Sequence, residues 1–242
     1  MTRLYRKNEL TFALVWVGLY VVLFSLADSV SLSLGVQKSV TVPLCLLMAG
    51  VLMGWLLKSG LAEAYGLRGP RGGGRRFLYW VPLAVIVSVN LWGGVTMNFP
   101  PLESALYVVS MMVVGLLEEL IFRGLLYKAL RRNGAKSAVL ISSLTFGLGH
   151  IVNLLNGAPV VATLLQIVYA TAIGFLFVVL FEHSGSLIPC IVTHSAINAL
   201  STFAVQRGEG FGMAVSAALT IIALAYALWV IKQPAAEREE QA

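Results

Sequence analysis

Eight apolar runs fill most of this chain, at about 11–27, 40–57, 77–97, 103–122, 137–155, 160–181, 187–206 and 211–231. Short polar or turn-rich breaks separate them, among them "NFPP" (98–101), "RRNGAK" (131–136), "NGAP" (156–159) and "EHSG" (182–185). A hydrocarbon core about 30 Å thick takes roughly 20 apolar residues per crossing helix. The expectation is therefore an all-α, polytopic membrane bundle of about eight transmembrane helices. Of the 242 residues, 58% are hydrophobic and 12% charged, against roughly 25% charged in a soluble domain. No room is left for a sizeable extramembrane domain, so residues 1–242 read as a single membrane domain.

The formal charge of +6 raises the question of a nucleic-acid partner, and the positions of the basic residues answer it. Placing the N-terminus inside puts fifteen Lys and Arg on that side: Arg3, Arg6, Lys7, Lys58, Arg68, Arg71, Arg75, Arg76, Arg123, Lys128, Arg131, Arg132, Lys136, Lys232 and Arg238. Only Lys38 and Arg207 fall outside. Retention of positive charge in cytoplasmic loops accounts for this bias, with no nucleic acid needed. The expected location is the cell membrane, with both termini cytoplasmic and the lipid bilayer as the first partner.

The first run follows Arg3, Arg6 and Lys7 and ends near Ser25-Leu26-Ala27, a faint echo of a signal-peptide cleavage site. Its apolar stretch from Leu10 to Leu26 exceeds the usual 7–15 residues, which favours an uncleaved helix. The stretch "GPRGGGRR" lacks the Gly-Lys-Ser/Thr ending of a phosphate-binding loop and reads as a basic loop facing anionic headgroups. Cys45 and Cys190 lie in apolar runs and read as small buried side chains.

Ionisable residues inside a membrane are rare and mark functional positions. Among the acidic residues, Glu118 and Glu119 lie well within an expected span; among the histidines, His150 and His194 do, while His183 falls in a cytoplasmic turn. Glu119 and Arg123 are four apart and can pair on one helical face. Glu118 points about 100° away and lacks that partner. Phe146 and His150 lie one turn apart, with Gly147 and Gly149 allowing another helix to approach, and His194 and Asn198 share a face on a third helix. Taken singly, each histidine reads as an interhelical hydrogen-bonder. Three polar stripes in an apolar bundle would most simply converge.

Glu118, Glu119 and Arg123 in "EELIFR", Phe146 and His150 in "FGLGH", and His194 and Asn198 in "HSAIN" occur in that order on successive helices. With these motifs the chain resembles the CAAX-processing and bacteriocin-immunity (CPBP, Abi-like) family of intramembrane proteases, which includes the type II prenyl-protein endopeptidases. The resemblance covers roughly 103–203, the motif-bearing core, with "YGLR" at 65–68 a weaker echo.

A desolvated carboxylate near a histidine can hold a water and take its proton, so Glu118 is the candidate general base. The resemblance implies the same role, with His150 helping to activate the water. His194 and Asn198 are suited to donate hydrogen bonds to an oxyanion, and the resemblance implies that too. Glu119, Arg123 and Phe146 would support the site from behind. A rival reading is catalytic zinc on Glu118, His150 and His194 with water in the fourth position. No His-Glu-x-x-His motif favours it, and the preferred reading needs no cofactor.

Counting about 1.5 Å per residue from the cytoplasmic ends, His194 lies roughly 10 Å deep and His150 nearer 20 Å. Convergence then requires tilt, a shorter fifth span, or a bend near Gly147 and Gly149. The expected activity is hydrolysis of a peptide bond in a membrane-anchored peptide or protein, near the cytoplasmic side; on a prenylated substrate it would release a C-terminal tripeptide. The alternative, from another class, is a non-catalytic membrane protein using the cluster for partner binding, immunity to a peptide toxin or proton relay.

Overall fold

A computed structural model describes residues 1–71 and 76–233, the side chains of 76–80 excepted. Residues 72–75 of the glycine-rich loop, with Arg75, lie outside the described residues, as do Arg238 and the C-terminal end placed on the cytoplasmic side. The described chain is helical and holds no strand, apart from one isolated bridge between Val95 and Ala204.

A short α1 (Thr2–Lys7) leads into α2 (Glu9–Ser33), whose first turn is capped by the Asn8 side chain accepting from the Thr11 amide at 2.8 Å. Such a cap satisfies one of the orphan donors at a helix start. Then come α3 (Thr41–Lys58) and α4 (Arg76–Ser88), which ends in a 3-10 turn, Val89–Leu91. α5 (Pro101–Glu118) continues without a break through a π-helical segment, Glu119–Tyr127, into α6 (Lys128–Arg131). The remaining helices are α7 (Ala135–Gly149), the single-turn α8 (Val152–Leu155), α9 (Val160–Ser184), α10 (Ile188–Ser201) and α11 (Glu209–Ile231).

Among the described residues six helical stretches are long and apolar enough to cross a membrane: Glu9–Ser33, Thr41–Lys58, Pro101–Arg131, Ala135–Leu155, Val160–Ser184 and Glu209–Ile231. The third and seventh expected spans are shorter helices, Val81–Leu91 and Ile188–Ser201. At 1.5 Å per residue, the 14 residues of α10 reach only about 21 Å. Both are cut short at the same end of the bundle. Beyond them the chain turns through Gly93 and Gly94, the latter at φ +97°, and the two exits are tied by Thr96 N–H to Phe203 O at 2.8 Å.

Charge-free packing between apolar helices depends on close backbone approach, which small residues permit. Two glycines supply it where the motif helices meet. A Cβ on Gly115 of α5 would stand 2.6 Å from the Ser195 backbone nitrogen of α10. One on Gly147 of α7 would stand 1.9 Å from Thr171 Oγ1 and 2.8 Å from the Ile167 carbonyl, both on α9. These contacts lock α5 to α10 and α7 to α9.

The core falls into two main clusters. One, at the junction of α2, α3 and α5, contains Phe12, Trp16, Leu52 and Trp55; the other packs Leu176 and Phe177 of α9 against Ala223 and Tyr226 of α11. Cys45 and Cys190 are buried free cysteines, as expected.

Candidate active site

Glu118 ends α5 and Glu119 opens the π-helical segment. Nine residues is long for π-helix, which ordinarily appears as a single widened turn and often at functional sites. The Ser142 hydroxyl of α7 donates to the Phe122 carbonyl inside this segment at 3.0 Å, satisfying one of its backbone oxygens from outside.

The Glu119–Arg123 pair forms as the spacing predicts: Arg123 Nη1 lies 3.1 Å from Glu119 Oε1, and both side chains are fully buried. The pair does not stand apart from Glu118, however. His194 reaches across from α10 and meets both carboxylates, with Nδ1 2.8 Å from Glu119 Oε1 and Nε2 3.3 Å from Glu118 Oε2. Divergence of adjacent helical side chains does not isolate them when one imidazole ring presents a nitrogen on each side.

A carboxylate oxygen only accepts, so His194 Nδ1–H is the donor to Glu119. In a neutral ring Nε2 would then turn a lone pair toward Glu118. One proton between Nε2 and Glu118, carried by either, converts that repulsion into a hydrogen bond. With that proton counted, two carboxylates balance the guanidinium and the imidazole proton, and the buried cluster is neutral. This is the condition under which buried charge becomes tolerable.

Two further contacts complete the surroundings. The Tyr20 hydroxyl of α2 donates to Glu118 Oε1 at 2.7 Å. Arg123 lies 3.9 Å over the Phe146 ring and 5.7 Å from Phe177, so aromatic faces stabilise the part of its charge that Glu119 does not meet. Gly174 leaves room for this stack: a Cβ there would lie 3.0 Å from Arg123 Nη2.

His150 arrives by one of the routes anticipated. α7 ends at Gly149 and His150 is its C-cap, so the fifth span breaks at the histidine. Phe146 packs edge-on against both His150 (centroids 5.2 Å apart) and His194 (5.6 Å), and one phenyl ring stands between the two imidazoles. His150 Nδ1 lies 3.1 Å from the Phe146 carbonyl. It is therefore the donor there, leaving Nε2 as the acceptor of the neutral ring.

Glu118, Phe146, His150, His194 and Asn198 all line one cavity of about 400 Å³. The seven residues singled out from the sequence are thus gathered at or directly behind one space. Three others went unnoticed. Tyr20 carried no signal, being one more aromatic in an apolar run. Asp28 lies just past the expected end of the first span, but α2 continues to Ser33. There Asp28 pairs with Lys38 at 2.7 Å, and both line the cavity.

Among the described residues no group of three or more His, Cys, Asp or Glu is placed to hold a metal ion. His194 meets a carboxylate at each nitrogen, whereas His150, donating from Nδ1, keeps Nε2 free.

Fold and site together define a polytopic membrane protein with a carboxylate–imidazole centre buried in its bundle. Residues 100–200 match the family model described as Type II CAAX prenyl endopeptidase Rce1-like. The match covers less than half of the chain, takes in every motif residue from Glu118 to Asn198, and is a likeness to proteases of the CAAX type. No curated protein and no solved structure matches the chain.

Proposed function

We propose that the chain is an intramembrane endopeptidase of the cell membrane, acting on a membrane-associated protein or peptide. The shared engagement of Glu118 and Glu119 by His194 is the observation that carries this reading. Glu118 takes a proton from a water held between it and His150, and the water oxygen attacks the peptide carbonyl. Asn198, one turn beyond His194, donates to the oxyanion, and His194 Nε2 joins it by moving from Glu118. As the C–N bond breaks, Glu118 returns the proton to the leaving amine, giving a carboxylic acid and a free amine. Glu119 and Arg123 hold His194 in position, Nδ1–H donating to Glu119 while the proton shared with Glu118 sits on Nε2.

Both termini are cytoplasmic in this reading, and the short α4 and α10 join the six long spans in an eight-segment bundle. Glutamate-activated water, without a metal, is the mechanism that the donor set favours.

The test is comparative mass spectrometry of peptides from membranes carrying wild type, Glu118→Ala, His150→Ala or His194→Ala. The reading expects a shared set of uncleaved membrane peptides to accumulate in all three variants. Processing unchanged from wild type would overturn it.

A further inference from the structure

We infer that substrate enters the cavity from the extracytoplasmic face, and that the peptide hydrolysed is one presented on that side of the membrane. This rests on the endopeptidase reading and deepens it by naming the substrate's side.

The polar lining of the cavity lies toward one end of the bundle. α2 runs from Glu9, which meets Arg132 at 2.6 Å, past Tyr20 at Glu118 to Asp28. At 1.5 Å per residue Asp28 is about 12 Å further from the basic end than Tyr20. The other polar lining residues follow the same direction: Asn90 at the far end of α4, Asn156 after α8, Gln166 in the opening turns of α9, and Ser201 at the last turn of α10. A second cavity of about 290 Å³ shares Asp28, Lys38 and Asn156 with the first and reaches Leu155, which is 85% exposed. The two cavities adjoin at these shared residues, on the side of Glu118 that faces that surface.

Among the described residues the opposite end is packed closed. Below Glu118, all nine residues from Glu119 to Tyr127 are buried. Tyr5, Phe12 and Trp55 pack ring on ring. The 65–68 stretch is tied to the start of α10, with Leu187 N–H donating to the Gly66 carbonyl at 2.8 Å and the Ser186 hydroxyl to that of Arg68. A Cβ on Gly66 would stand 2.4 Å from the Phe181 ring.

The closed end is the basic one, carrying Arg131, Arg132 and Lys136. Positive loops stay in the cytoplasm, so the open end faces outward. At its mouth Lys38 is 8% exposed, neutralised by Asp28 and lying 5.1 Å from the Phe24 and Tyr107 rings. A neutral, polar, aromatic-flanked mouth suits an uncharged stretch of peptide backbone. A prenylated C-terminus on the cytoplasmic leaflet would meet the sealed end instead.

Single cysteines read with a membrane-impermeant maleimide on intact cells test this, the native Cys45 and Cys190 being buried. Asn156→Cys and the cavity-lining Ser25→Cys are expected to label from outside, and Lys136→Cys only after lysis. Outside labelling of Ser25→Cys should also stop membrane-peptide processing. Labelling of Ser25→Cys only after lysis, or from neither side, overturns the inference. Labelling as expected with processing indifferent to Glu118→Ala would sink the endopeptidase reading and leave the outward opening standing.

Discussion

His194 donates through Nδ1 to Glu119 Oε1 at 2.8 Å, and the same carboxylate oxygen takes Arg123 Nη1 at 3.1 Å. One buried oxygen thus fixes a cation on its own helix and an imidazole on another. Replacing it tests both connections. Glu119→Gln leaves the guanidinium buried without a counter-charge, a loss that costs about 3–5 kcal/mol when one partner of a buried pair is removed. Thermal unfolding in detergent should show a clearly lowered midpoint, with peptide processing lost.

Tyr20 contributes one hydrogen bond to Glu118 from a helix outside the family match. Tyr20→Phe keeps the ring and removes that bond, which to a charged acceptor is worth about 1.5–3 kcal/mol. Turnover of a membrane peptide in proteoliposomes should fall by roughly 10- to 100-fold with KM little changed. A proportionate rise in KM at constant kcat would instead place Tyr20 in substrate binding.

Gly147 is where α7 touches α9. Gly147→Ala forces the helices apart, and overpacking of this kind costs about 1–3 kcal/mol. The variant should unfold at lower temperature and process peptide poorly, because the shift moves Phe146 and His150 together. Gly149→Ala meets nothing within 4 Å and should unfold at the wild-type temperature.

Among the described residues no group of three or more His, Cys, Asp or Glu is placed to hold zinc, and the proposed mechanism uses no metal. Incubation of the purified protein with a strong chelator should leave processing at its starting rate. Loss of activity on chelation, restored by added zinc, would require Glu118, His150 and His194 to regroup around the ion.

The helical segments were legible in the sequence because a span long enough for the bilayer is written as a run of apolar residues. Even the two short helices fell within expected runs. Their lengths were not legible, since Gly94 and the tie from Thr96 to Phe203 end them through contacts distant in sequence. In the site, the i,i+4 pair of Glu119 and Arg123 could be read from helical spacing alone. The bridge from His194 could not, because it depends on how closely α10 approaches α5 at Gly115. Arg123 was counted as a cytoplasmic charge, yet it is fully buried beside Glu119. Residue type alone does not distinguish a topology signal from a site residue. Asp28 and Lys38 were hidden by a helix boundary drawn at the last apolar residue, whereas α2 runs on for another turn and a half.

The most direct measurement of the central claim is the rate of membrane-peptide hydrolysis by Glu118→Gln against wild type in proteoliposomes. The amide matches the carboxylate in shape but cannot take a proton from water, and removing a general base typically costs about 10²- to 10⁴-fold. The account predicts a loss in that range with the peptide still bound. Hydrolysis at the wild-type rate would contradict it and leave the cluster as a binding or structural device.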